Sequence, residues 1–228
     1  MSVITGEGVT MHDLSLRLEP GMVTWPGDPP FLSQAVSHTA QGDSATVHQV
    51  SFSTHTGTHI DAPRHFFDRG QSVDQMALSR VIGVVEVVDL TTVAVIDRSI
   101  LAQQFPRTVP SRILFRTQNS VLGLLDKPQF VTSYTALDYS AAAWLVERGV
   151  QLVGIDYFSI DRYEVRGFPV HRALLSQQIA ILEALRLVDV SPGRYHMLAI
   201  PLPFKGMDGS PVRVLLYTDS EWSTLSST

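Results

Sequence analysis

The chain has 228 residues, 44% of them hydrophobic and 17% charged, which is enough to bury one substantial core and suits a single domain, 1–228, better than two. A formal net charge of −5 argues against a nucleic-acid partner, which wants a basic face, and supplies no pull toward anionic lipid. Cysteine is absent, so disulfides and thiolate nucleophiles are excluded and any metal must be held by nitrogen and oxygen.

Residues 1–13 lack the basic start and apolar run of a secretory signal, and no stretch approaches the roughly 20 apolar residues of a membrane span. A soluble, cytoplasmic protein is therefore expected. Residues 14–18 read as a short strand before a turn at Pro20-Gly21. Trp25 precedes a rigid, turn-rich segment, Pro26-Gly27-Asp28-Pro29-Pro30, and could serve as its apolar plug. Residues 45–54 alternate as a strand, with Val47, Gln49, Ser51 and Ser53 on one face and His48, Val50 and Phe52 on the other.

That strand leads into the most distinctive segment, His55-Thr56-Gly57-Thr58-His59-Ile60-Asp61-Ala62-Pro63-Arg64-His65. Three imidazoles and one carboxylate fall within eleven positions, and these are side chains that bind a borderline divalent cation such as zinc. In a straight strand residues four apart are separated by about 13 Å, so sharing an ion requires a bend. Gly57 permits one, and Pro63 disfavours a long helix through the segment. The expected arrangement is a bent loop that folds His55, His59 and Asp61 around one ion, with His65 a step beyond. A lone histidine is usually a surface or core residue; the clustering is what argues for a metal. The pattern alone names no reaction.

Further along, residues 66–70 read as a turn ending at glycine, and 81–90 as a buried, β-branched strand. Residues 97–104 suit a helix with Asp97 as N-cap, and 111–117 an inner strand. A helix over 140–148 with Gly149 as its stop runs into a strand over 150–155. Residues 172–185 fit a helix, or a helix and a strand in succession, and late strands follow at 195–201 and 211–217. Residues 220–228 read as a polar, mobile tail. This order of helices and strands defines an α/β fold.

Several ordered motifs together carry a resemblance. His55-x-Gly57-Thr58-His59-x-Asp61-x-Pro63-x-His65-Phe66 resembles the signature of the cyclase family of metal-dependent hydrolases, which includes bacterial kynurenine formamidases and isatin hydrolases. Trp25-Pro26-Gly27-Asp28, Gly154-Ile155-Asp156 with Ser159-Ile160-Asp161, Phe168-Pro169-Val170-His171 with Ile181-Leu182-Glu183, Ile200-Pro201-Leu202-Pro203 and Gly209-Ser210-Pro211-Val212-Arg213 are similar to further elements of that family.

The resemblance implies the family's swivelling β/β/α fold, with a mixed central sheet or barrel-like core and flanking helices. It implies that His171 and Glu183 complete a second metal position, with Asp61 as the bridge, for one or two ions of zinc or, compatibly, manganese. It assigns His65 to proton transfer, with a further ligand role as the alternative. Trp25, Phe66 and Phe158 are expected to border an aromatic pocket. Asp156 and Asp161 could orient histidines or serve as caps, and His12, His38, His48 and His196 are left as structural. The expected activity is hydrolysis of an aryl formamide such as N-formylkynurenine. A cyclic amide or lactone is the second substrate class, and a metal-dependent lyase or dehydratase and a non-catalytic metal-binding module are the rival functions. Relatives of this kind suggest a homodimer or homotetramer with a small-molecule substrate.

Overall fold

In the computed structural model, which describes residues 2–4 and 10–225, the apolar strands foreseen beyond residue 81 form the wall of a closed barrel. In chain order the strands are β1 (Ser2–Ile4), β2 (Thr10–Asp13), β3 (Leu32–Ser37), β4 (Val47–Ser51), β5 (His59–Asp61), β6 (Ile82–Leu90), β7 (Val95–Ile96), β8 (Arg112–Thr117), β9 (Ala136–Leu137), β10 (Leu152–Ile155), β11 (Ala180–Glu183), β12 (Gly193–Pro201) and β13 (Gly209–Tyr217). The helices are α1 (Arg98–Gln104), α2 (Gln118–Val121), α3 (Tyr139–Glu147), α4 (Pro169–Ser176) and α5 (Asp219–Leu225). The order β13-β12-β6-β8-β10-β11-β5 runs around the barrel, and β13 pairs back onto β5 to close it. Strands β6, β8, β10 and β11 are parallel, joined through α1, α3 and α4, and the remaining barrel pairings are antiparallel. Of the two expected forms of the core, the barrel is the one adopted.

Period-two alternation explains why this sequence closes. On β8, Ile113 and Phe115 point to the helices, where they meet Leu101, Leu145 and Leu174, while Leu114 between them points into the barrel. Strand β10 repeats the pattern, with Val153 and Ile155 outward and Leu152 inward; so does β11, with Ile181 outward and Ala180 and Leu182 inward. Both faces are buried, which is why these strands read as unbroken apolar runs.

Most expected elements form within a few residues of their predicted limits. Asp97 caps α1 by accepting from the Ile100 N–H at 2.9 Å. Segment 172–185 divides into the end of α4 and β11. Two expectations are corrected. The strand expected over 14–18 does not form: β2 ends at Asp13, and Leu14 turns inward to bury its side chain completely. Residues 219–225 form a helix, held by Trp222 stacking on His196 with ring centroids 4.9 Å apart; residues 226–228 lie outside the described residues. The strand at 47–51 forms, but its partner is β3 and neither face is buried.

Asp156, at the end of β10, accepts from the Thr117 N–H and Oγ1, the Asn119 Nδ2 and the Ser120 N–H and Oγ, at 2.5–3.2 Å. It therefore braces the β8–α2 junction and orients no histidine, although burial pushes its carboxyl up. Asp156→Ala would strand several buried donors at about 1–3 kcal/mol each. A fall in the urea midpoint equivalent to about 3 kcal/mol or more is the expected result, and an unchanged midpoint would refute the brace.

Candidate metal centre

The bend expected at Gly57 is present. Gly57 has φ 65°, in the left-handed region that favours glycine, and the Leu18 side chain packs over it. Thr58 then ties the bend down: its hydroxyl donates to the Ala184 carbonyl at 2.7 Å and accepts from the Leu16 N–H at 2.9 Å. His55 lies in the turn, whereas His59 and Asp61 lie on β5.

Strand geometry does the rest. His59 and Asp61 share one face of β5, and Ile60 between them enters the barrel core. On the neighbouring strand β11, Glu183 is the residue directly opposite His59. On the other side Gly209 of β13 lies opposite Asp61, and a Cβ on it would come within 2.9 Å of the His55 ring. His171 arrives from α4, whose first turn is held by Asp161. That carboxylate accepts from the Val170 and His171 N–H groups at 3.0 and 2.9 Å and faces His171 Nδ1 at 2.6 Å. Asp161 thus fills both roles open to it, cap and histidine orienter.

The five side chains converge. Asp61 Oδ1 stands 2.9 Å from His55 Nδ1 and 3.4 Å from His59 Nε2. Asp61 Oδ2 stands 3.3 Å from His171 Nε2, and Glu183 lies 3.0 Å from His171 Nε2 and 3.4 Å from His59 Nε2. Donor atoms of His55, His59 and Asp61 fall within 4.8 Å of one another, as do those of Asp61, His171 and Glu183. Asp61 belongs to both groups.

A divalent cation fits this donor set. Two carboxylates and two imidazoles are buried to 4% exposure or less, and Asp61 Oδ2 makes no hydrogen bond. The outer nitrogens are already occupied: His59 Nδ1 faces the Gly57 carbonyl at 2.9 Å and His171 Nδ1 faces Asp161, so each ring presents Nε2 to the carboxylates. The metal-free charges point the same way. Burial opposes a positive His59, but Asp61 and Glu183 outweigh it and hold the imidazole at about 10. Burial likewise opposes charge on His55, and Asp208 and Asp61 raise it to about 9. Burial disfavours ionised Asp61, yet His171, His55 and His59 hold its carboxyl far below the usual range.

Burial opposes charge on His171 too, but its carboxylate neighbours draw it upward as well, so without metal all three imidazoles favour the protonated form at neutral pH, and a ligating nitrogen must shed its proton. Apparent metal affinity should rise with pH up to about 9–10 and fall as the medium is acidified. Titration calorimetry in buffers of different ionisation enthalpy should detect about three protons released at neutral pH, one from each ligating histidine; release of none would contradict the ligand set.

His65 follows in a short turn, Pro63–His65, its ring 3.9 Å from that of His55. Its Nδ1 faces Asp208 Oδ2 at 3.3 Å, and the same oxygen faces His55 Nε2 at 2.9 Å. The two histidines together hold the Asp208 carboxyl well below its ordinary value. Asp208 was not foreseen. Only its place just before β13, beside a glycine in a motif already noted, offered a signal.

Trp25, Phe66 and Phe158 all border a cavity of about 230 Å³ that opens onto His55, His59, His65, His171 and Glu183. Phe168, Ser159 and Asp28 complete its wall. Trp25 is both plug and wall, because its ring packs against Phe130 at 5.2 Å while reaching the cavity.

Fold and site together define an α/β barrel with a buried histidine–carboxylate centre at its rim. The family model described as "Putative cyclase" matches residues 12–162, and the chain belongs to the cyclase family. It is 38% identical over 204 residues to the kynurenine formamidase of Geobacillus thermodenitrificans, covering 90% of this chain and 95% of that one. A structure from Bacillus stearothermophilus, described as a predicted metal-dependent hydrolase, matches with a TM-score of 0.78 and 31% identity over 91% of this chain and 97% of that one. Isatin hydrolase A from Labrenzia aggregata, bound to benzyl benzoate, matches with a TM-score of 0.80 and 25% identity over 91% and 93%. Among the described residues no helix is long and apolar enough to cross a membrane.

Proposed function

We propose that the chain, 1–228 acting as one domain, is a metal-dependent amide hydrolase that cleaves an aryl formamide such as N-formylkynurenine. The observation that carries this reading is the double membership of Asp61, one carboxylate set between two groups of donors. The 38% identity to a kynurenine formamidase supports the substrate class. His55, His59, Asp61, His171 and Glu183 would hold one or two ions. A divalent cation held there, zinc or manganese by donor type, supplies Lewis acidity toward the carbonyl and makes a water acidic enough to attack at neutral pH.

The protein's own part is positioning and proton transfer. Asp208 can only accept at His65 Nδ1, so that nitrogen carries the ring proton and Nε2 keeps its lone pair. Among the described residues no group pairs with that Nε2. His65 would take a proton there from the attacking water and return it to the leaving aryl nitrogen as the C–N bond breaks, giving formate and the aryl amine. Trp25, Phe66 and Phe158 would stack on the aromatic ring and exclude water.

The test is absorbance of kynurenine released from N-formylkynurenine by zinc- or manganese-loaded protein; no turnover with metal bound removes this substrate. A cyclic amide is the second reading, supported by the fold match to isatin hydrolase A. The working form is proposed to be a cytoplasmic homodimer or homotetramer, which sedimentation would read directly.

A further inference from the structure

The cavity carries an acidic group that metal binding leaves unused. Asp28 borders it beside Trp25, and its N–H donates to the Trp25 carbonyl at 3.0 Å, so one tight turn sets the indole and the carboxylate on the same rim. Its Oδ2 accepts from the Ser53 hydroxyl at 3.0 Å, and that hydroxyl oxygen accepts in turn from the His55 N–H at 3.2 Å. Two hydrogen bonds therefore fix the carboxylate relative to the metal loop.

The other acids of the site, Asp61, Glu183 and Asp208, each lie within 3.4 Å of imidazole nitrogens. Asp28 does not: among the described residues it forms no ion pair, and no lysine or arginine lines the cavity. It shares the cavity lining with Trp25, Phe66, Phe158 and Phe168. Aromatic faces attract a cation, and a carboxylate on the same rim can pair with it.

We propose that Asp28 is a specificity-determining residue that binds a primary ammonium on the substrate, so that the site prefers aryl formamides bearing an aminoalkyl side chain over neutral ones. The proposal rests on the formamidase reading. It adds a second recognition point, an ammonium site on the cavity rim tied through Ser53 to the metal loop, to the ring-stacking walls.

The experiment compares two formamides in the metal-loaded protein: that of kynuramine, which carries an ammonium and no carboxylate, and that of ortho-aminopropiophenone, the same skeleton without the amine. Asp28→Asn keeps an acceptor for Ser53 and removes only the charge. The ratio of the two kcat/KM values, amine over neutral, should fall about tenfold in Asp28→Asn. An unchanged ratio, however far either rate moves, would mean that Asp28 only braces Ser53 and His55, and the proposal is then overturned.

If the wild-type protein cleaves neither formamide, the formamidase reading fails, and Asp28 is judged by binding. Calorimetry should give a ratio of kynuramine to ortho-aminopropiophenone affinity that falls about tenfold in Asp28→Asn; equal ratios in the two proteins reject the site.

Discussion

His65→Ala is expected to lower kcat by about 10²–10⁴-fold, the range for loss of a positioned general acid–base, while bound metal stays at the wild-type level. Exposure and orientation separate His65 from the other three histidines. The side chains of His59 and His171 are 3% and 4% exposed and that of His55 is 12%, whereas that of His65 is 30% exposed, and a proton carrier must exchange with solvent between turnovers. His59 and His171 aim Nε2 at Asp61 and Glu183, and His55 faces Asp61 through Nδ1. His65 pairs with Asp208, and it faces neither Asp61 nor Glu183. Metal analysis after gel filtration, alongside the formamide assay, distinguishes the roles. Loss of metal together with activity would make His65 a ligand, and retention of both would remove it from the mechanism.

Asp61→Asn should abolish metal retention and with it all turnover. Asp61 is fully buried and faces His55 and His59 with one oxygen and His171 with the other. An amide can offer one acceptor, and its NH₂ would face a ring nitrogen where a cation should sit. The metal-free protein should suffer as well. There the protonated imidazoles answer the carboxylate, and removing one partner of a buried pair costs roughly 3–5 kcal/mol. Chemical denaturation of the metal-free variant and wild-type protein at neutral pH measures this term directly. A variant that still carries a full complement of metal would show that Asp61 is no bridge.

How much of the site was legible in the sequence follows from the range of the interactions involved. His55, His59, Asp61 and His65 could be picked out because residue type and spacing within eleven positions already demand one bend, and Gly57 is the residue that permits it. His171 and Glu183 could be paired with them only through the family resemblance, since nothing local joins residues more than a hundred positions away to the loop. The barrel strands were legible for a comparable local reason: burial on both faces leaves a continuous apolar run. The hairpin β3–β4 was half legible. Its alternation predicts a strand, but no periodicity tells whether a core will be there to cover it.

The sequence by itself determined most of the barrel strands, the all-nitrogen-and-oxygen character of any metal site and the loop that begins it, because propensity, burial pattern and ligand chemistry act over a few residues. Tertiary structure alone decided the closure of β13 onto β5, and through it the arrival of Asp208 beside His55 and His65. It alone decided that Glu183 stands opposite His59, that Asp28 joins the aromatic wall, and that Asp156 braces a helix while Asp161 holds a histidine. Each of these depends on strand register or on packing between distant segments. A shift of one residue in the register of β11 would turn Glu183 to the opposite face, and the other carboxylates lie outside the named strands, placed by packing, so no reading of a single segment could have supplied them.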